Sequence, residues 1–260
     1  MNQAQNNAPE VLELEIQTPA GRLRGRLAVP PRPIRLAELT WNVMTISDRL
    51  SGLAVGREER EGRKISCRKG CGACCRQVVP LSPPEAWMIA DLVAGMNEDA
   101  RSAVSAAFAS VAEELDRAGL KAPLCGHIER LDDLKALSLA YFQLGLACPF
   151  LSSEEACTIH PYRPSICREY MVTSPAENCA ELGRKPIVRI QVAVRLSEAL
   201  AALTAKLLGS EPEVIPLALA LEWAAAHREE GLRTWQARTL VEALVAEIAA
   251  LPGATAEPGW

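Results

Sequence analysis

Positive charge is in short supply in this chain: 28 lysines and arginines face 32 aspartates and glutamates, for a formal net charge of −4 and a sequence pI near 5.6. Nucleic-acid binding rests on a basic footprint that neutralises phosphates, so this balance argues against a nucleic-acid partner. Long apolar runs are missing as well. The longest, Leu137 to Leu151, is interrupted by Gln143 and Gly145 and falls short of the roughly 20 residues that span a bilayer, so no membrane segment is expected. The opening residues Met1 to Glu10 have neither a basic start nor an apolar core, which is unlike a secretory signal and leads to the expectation of a reducing cytosol. No Gly-rich phosphate loop, Ser/His/Asp constellation or internal repeat is evident, and low complexity is confined to alanine-rich helices.

Cysteine is plentiful. Eight of the nine form two sets: Cys67, Cys71, Cys74 and Cys75, then Cys148, Cys157, Cys167 and Cys179. A chain with 49% hydrophobic residues and this length can bury a core without covalent staples. With an odd cysteine total and a reducing compartment, a disulfide framework is the weaker explanation. Thiolates this dense point to metal. The Cys71-Gly-Ala-Cys74 spacing suits a tight knuckle that brings two sulfurs to one ion. Gly70 and Gly72 weaken a helix but tolerate positive φ, so the segment is expected to be a loop. Neighbouring side chains such as Cys74 and Cys75 diverge, by roughly 100° on a helix and 180° on a strand. One tetrahedral ion would not easily take both, whereas two centres or a polynuclear cluster would.

Between and around these sets the chain is expected to be mainly α, a helical domain organised around a cysteine metal-binding module, with an N-terminal β-hairpin. Leu12, Leu14 and Ile16, then Leu23, Gly25, Leu27 and Val29, alternate across Thr-Pro-Ala-Gly. Pro30, Pro31 and Pro33 end the hairpin, and a helix is predicted from Ile34 to about Arg57. The mixed charges of Arg57 to Lys64 read as its solvated end leading into the cysteine loop. Ser82-Pro-Pro-Glu85 joins a capping box to first-turn prolines and should open a helix to about Gly95. Further helices are predicted from Asn97 to Ala118, His127 to Ala147, Arg195 to Leu208, Ile215-Pro216 to Glu230, and Ala237 to Leu251; Ile187 to Val194 reads as extended. The division expected is a tail and hairpin over 1–33, a helical cysteine-cluster domain over 34–185, and a C-terminal helical scaffold over 186–260, packed on the same domain.

The second set reads Cys148-Pro-Phe-Leu, then Cys157-Thr-Ile-His-Pro-Tyr-Arg-Pro-Ser-Ile-Cys167-Arg, then Cys179. Together with Cys71-Gly-Ala-Cys74-Cys75, over roughly residues 65 to 180, it resembles the bacterial cysteine-cluster family of the CxxCxxCC type, described as a zinc- or iron-chelating domain. The resemblance implies a metal-binding module of the kind found in many bacterial proteins, among them a flagellin lysine methylase with an iron–sulfur cluster. It makes Cys67, Cys71, Cys74, Cys75, Cys148, Cys157, Cys167 and Cys179 the candidate ligands, with Arg163, Pro164 and Arg168 as companion positions. His160 stands where the family pattern has tyrosine, which weighs against its serving as a ligand.

Eight thiolates around two divalent ions leave a charge of −4, before other groups are counted, by the ligand and ion charges alone. Arg68, Lys69 and Arg76 interleave the first set, and Arg163 and Arg168 the second. Lys69 reads as merely solvated, whereas Arg163 and Arg168, fixed around a turn by Pro161 and Pro164, are expected to support the thiolates. Cys125 lies outside both sets and reads as a small buried hydrophobe, despite nearby His127. His227 reads as an ordinary helix-face residue, and Trp41, Trp87, Trp223 and Trp235 as core. The function expected is a metal-binding protein with an iron–sulfur cluster, of the 4Fe–4S kind, acting in redox chemistry or on a protein partner or substrate. The alternatives are a structural zinc module that binds a protein, with zinc at closed sites, and a thiol redox switch.

Overall fold

The computed structural model describes residues 10–126, 130–252 and 255–259, the last five by backbone alone. Among these residues the fold is mainly α, as ten helices with seven short strands. Strands β1 (Glu10–Thr18) and β2 (Gly21–Val29) form the expected hairpin, in antiparallel register from Glu10 opposite Val29 to Thr18 opposite Gly21. The turn is tied by Thr18, whose hydroxyl donates to the Gly21 carbonyl at 2.8 Å and accepts the Ala20 N–H at 3.2 Å. Alternation buries Leu14, Ile16, Leu23, Leu27 and Val29 on one face.

Strand β3 (Pro33–Arg35) follows, and then helix α1 (Leu36–Arg60). Residues Leu36, Leu39, Val43, Met44, Leu50 and Ala54 recur at helical spacing and are buried, each fully covered large side chain contributing about 1.5–3 kcal/mol. Its C-terminal charges stay solvated, with Arg57 paired to Glu61 at 3.1 Å. The first cysteine set has no helix or strand, as expected of a loop. After it come β4 (Pro80–Leu81), α2 (Pro83–Ala94) and α3 (Glu98–Arg117). Ser82 and Asn97 start these two helices: Glu85 Oε2 accepts the Ser82 N–H at 3.0 Å, and Asn97 Oδ1 accepts the Ala100 N–H at 2.9 Å.

The helix predicted from His127 to Ala147 is shorter, as α5 (Leu131–Gln143), and a separate short helix, α4 (Lys121–Cys125), precedes it; His127 itself lies outside the described residues. Helix α6 (Ser165–Glu169) lies within the second cysteine set, and Ile187 to Val194 forms no strand, only one isolated bridge from Arg189 to Val172. Helix α7 (Leu196–Leu208) matches its prediction. The single helix predicted from Ile215 does not form. Ile215–Pro216 is instead a strand, β5, antiparallel to β4, and the chain proceeds through α8 (Ala220–Ala226) and α9 (Arg228–Leu232). The break falls at His227, whose Nδ1 lies 2.9 Å from the Trp223 carbonyl while its ring stacks on Trp223 at 4.2 Å. That local side-chain contact competes with a continuous helix. Strand β6 (Thr234–Gln236) pairs with β3, helix α10 (Ala237–Ala250) follows, and β7 (Thr255–Gly259) adds to the free edge of β1.

One core joins the hairpin, α1, α2, α7 and α10. A smaller cluster of Val111, Leu115, Leu124, Tyr141, Ala218 and Leu219 seals α3, α4 and α5. Phe108 of α3 meets Phe150 edge to face at 5.4 Å, and Phe150 is 1% exposed. Because Phe150 follows Cys148 by two residues, this contact anchors the second cysteine set to the main core. No helix among the described residues is long and apolar enough to cross a membrane.

Candidate metal centre

Backbone geometry brings the two sets together. The Cys148 N–H donates to the Cys75 carbonyl at 2.7 Å, so residues 73 apart in sequence share a hydrogen bond. Within the first set, tight turns run from Arg68 to Cys71 (3.1 Å), Gly72 to Cys75 (2.9 Å) and Cys74 to Gln77 (3.0 Å). Gly70 takes φ +80°, as the loop reading requires. Gly72 serves differently. A Cβ there would lie 2.5 Å from the Glu155 carbonyl oxygen and 2.7 Å from Leu151 Cδ1, so its requirement is close approach of the second loop, not positive φ. Across the same seam Arg76 grips Glu155 with two bonds of 2.8 and 2.7 Å.

The second set is held from three sides. Leu151 bridges to Cys157, making a small loop under Phe150. Helix α6 presents Cys167, and Glu85 fixes the start of that helix: its Oε1 accepts the Ser165 N–H at 2.8 Å and hydroxyl at 2.7 Å. Glu85 is 1% exposed, and its other oxygen accepts both Ser82 donors, so one buried carboxylate caps α2 and α6 together. From the opposite side Ser51 of α1 donates to the Arg168 carbonyl at 3.3 Å. Cys179 is tied to the first loop by Gln77, whose amide donates to the Cys179 carbonyl at 3.0 Å.

The electrostatics couple the two sets through Cys74. A thiolate there would act on Cys67, Cys148, Cys157, Cys167 and Cys179, while Cys71 acts on Cys67 and Cys179, and Cys75 on Cys74 itself. Burial raises the thiols of Cys67, Cys157 and Cys167, pushes Cys148 up to about 12 and Cys179 up to about 11. Cys74 is raised first by its hydrogen bond with Cys75 and then by burial. Opposing this, the Arg163 guanidinium favours the thiolate forms of Cys67, Cys74, Cys157 and Cys167. The Tyr170 hydroxyl, bonded to Cys179, has the same sense.

All nine cysteines are free thiols, and among the described residues no group of three or more His, Cys, Asp or Glu side chains is drawn together closely enough to hold a metal ion. A tetrathiolate shell needs sulfurs about 3.8 Å apart, as Zn–S bonds of about 2.3 Å dictate. Neutral thiols have nothing to hold them at that separation; a cation does. The donor chemistry nonetheless fits a thiolate-bound metal group, because buried Arg163 Nε has no protein acceptor and the same guanidinium favours the thiolate forms of four of the cysteines. An anionic centre among these thiols would give that orphaned donor a partner.

Arg168 acts further out. Its Nε donates to the Arg163 carbonyl at 2.7 Å, Nη1 pairs with Asp48 at 2.7 Å, and Nη2 donates to the Pro161 carbonyl, so it folds the Pro161–Pro164 turn that aims Arg163. His160 is exposed beside this turn, and Cys125 proves exposed at the end of α4, contrary to its reading as a buried hydrophobe. Its raised thiol follows from burial of part of the side chain and from Glu222, and it has no partner among the eight. Trp87 is buried and Trp223 and Trp235 are half-buried, but Trp41 is exposed rather than core. Sequence reasoning also missed Tyr170, Gln77 and Asp48, each of which reaches the site from outside the cysteine spacing. Glu169, beside Tyr170, is pushed up to about 7 by burial and by Glu85; Ser47 donates to its Oε1 at 3.2 Å, and its Oε2 has no protein partner.

Thiols from two distant segments and a half-buried arginine whose Nε is covered define a cysteine-rich module suited to metal chelation. Residues 66–185 match the family model of the CxxCxxCC type, described as "Putative zinc- or iron-chelating domain". Metal binding, to zinc or iron, is therefore the functional class. No curated protein and no solved structure matches the chain.

Proposed function

We propose that the eight clustered cysteines hold an iron–sulfur cluster of the 4Fe–4S kind, with the remaining thiols available as a second thiolate site, and that the protein serves redox chemistry or modification of another protein. The hydrogen bond from the Cys148 N–H to the Cys75 carbonyl, which brings the two sets together, carries this reading. Cys74 and Cys75 are adjacent in a turn, so their sulfurs suit attachment points spread more widely than those of one tetrahedral ion. A bound cluster would supply a one-electron couple at this position.

The chain's own residues hold and tune such a group. The turns of the first loop and the Cys148 to Cys75 bond fix the sulfur-bearing backbone, while Arg163 offsets thiolate charge and Tyr170 donates at Cys179. Phe150, Ile159 and Val172 are buried close to these cysteines in sequence and keep the backbone around them dry.

Protein made and purified without oxygen tests the proposal. It should be brown, carry iron and acid-labile sulfide in equal amounts, and bleach in air. Colourless anaerobic protein with about two zinc ions per chain, the number that eight thiolates satisfy, would replace it with the structural-zinc reading. Zinc in protein handled in air would not count, because zinc is compatible with every ligand in the set.

A further inference from the structure

A cavity of about 370 Å³ opens between α2, the end of α7 and the break from α8 to α9, at the low end of the size range of small-molecule pockets. Trp87, Trp223 and His227 line it together, and no cysteine does. The three rings are fixed in advance by contacts of their own. The Trp87 Nε1–H donates to the His227 carbonyl at 3.1 Å, and the Trp223 Nε1–H donates to Glu213 Oε1 at 2.8 Å. The two indoles lie 5.2 Å apart at a tilt of 49°, and His227 stacks on Trp223 at 4.2 Å. A lining held this way spends little of its binding energy on ordering side chains.

The charge of the lining is negative. Glu211, Glu213 and Glu230 stand against Arg233 alone, and none of the three carboxylates forms a salt bridge among the described residues. Arg233 is engaged away from them, with its guanidinium over the Trp235 ring at 5.5 Å. Helix α7 adds to the same sign, because it ends at Leu208 on the cavity wall and the C-terminal end of a helix carries partial negative charge. Indole rings attract cations as well. An anion would meet the carboxylates, and a neutral apolar group would desolvate them without giving them a partner. A bare inorganic ion would leave the indoles unused.

We infer that this cavity binds a small organic ammonium ion, with its charge among Glu211, Glu213 and Glu230 and its carbon substituents against Trp87 and Trp223. The site takes nothing from the thiols, so its test is read separately from that of the metal.

The probe is labelled choline, measured by equilibrium dialysis against the full chain while metal content is followed in parallel. A dissociation constant of about 1 mM or tighter is expected. Tetramethylammonium should displace the label, whereas dimethylbutanol, the neutral carbon isostere of choline, should be weaker as a competitor by about tenfold or more. Joint replacement Glu211→Gln and Glu230→Gln changes only charge at an open cavity, so the unfolding midpoint should hold while choline binding weakens about tenfold. Trp223→Leu, with its midpoint measured alongside, should weaken binding by a similar factor. The inference is overturned by the absence of choline binding, by equal competition from dimethylbutanol, by displacement with acetate or magnesium at equal ionic strength, or by unchanged affinity in the double glutamine variant.

Discussion

Arg163 and Gly72 contribute to the centre in opposite ways, one by a charge and the other by having no side chain. The Arg163 guanidinium favours the thiolate forms of Cys67, Cys74, Cys157 and Cys167, and its buried Nε has no protein acceptor. Replacement by glutamine keeps much of the volume but removes the charge, so metal retention against a chelator should weaken about 10- to 100-fold, as for other residues that support ligands from behind. Gly72→Ala should separate the two loops, since the new methyl would meet the Glu155 backbone and Leu151. The expected cost is about 1–3 kcal/mol of stability, measured by denaturant unfolding, together with lower metal content. Cysteine variants divide by place. Cys71→Ser and Cys167→Ser should each lower bound metal substantially, whereas Cys125→Ser, exposed on α4 and outside the shared site, should keep its full complement. Stoichiometric metal loss from Cys125→Ser would show a ligand outside the two sets.

Helix α6 is only five residues long and cannot hold Cys167 in place by its own stability. Its position comes from Glu85, which links its first N–H and hydroxyl to the start of α2, and from Ser51 on α1. Removing the Glu85 carboxylate would leave four donors unsatisfied in the interior. Glu85→Ala should therefore destabilise the protein by about 3 kcal/mol and lower its metal content, although Glu85 is no ligand. Circular dichroism with metal analysis checks both effects; an α2 start and metal content that survive the change would show that α6 is held by other contacts.

Across the whole molecule, the principal core is built from the hairpin, α1, α2, α7 and α10, and the cysteine loops lie against its side, with Cys148 and Cys157 only partly buried on it. Stripping the metal should then leave most helical signal intact while the unfolding midpoint falls. A ligand present at a hundred times its dissociation constant stabilises by about 2.7 kcal/mol, which sets the scale of the expected loss. Collapse of helicity on chelation would mean that the core depends on the metal, as in the smallest zinc modules.

Alternation of Leu14, Ile16, Leu23 and Leu27, the Ser82 and Asn97 caps and the helical spacing of α1, α7 and α10 were legible because each is a local rule that burial later satisfies. The cysteine spacing likewise announced a metal module, since a Cys-x-x-Cys knuckle beside further cysteines suits a shared metal. Local rules failed where distant backbone took over: Ile215–Pro216 became a strand against Pro80–Leu81, and Thr255–Gly259 joined β1. They also failed for Trp41, whose helical position was clear while its exposed face depended on what packed beside α1. The sequence alone determined the hairpin, the two sets of thiols and helices α1, α2, α3, α7 and α10. Only the tertiary structure decided that the sets meet where Cys148 bonds Cys75, that Glu85 serves two helices and that Gln77 reaches Cys179, because those contacts join segments whose separation along the chain carries no information about their distance in space.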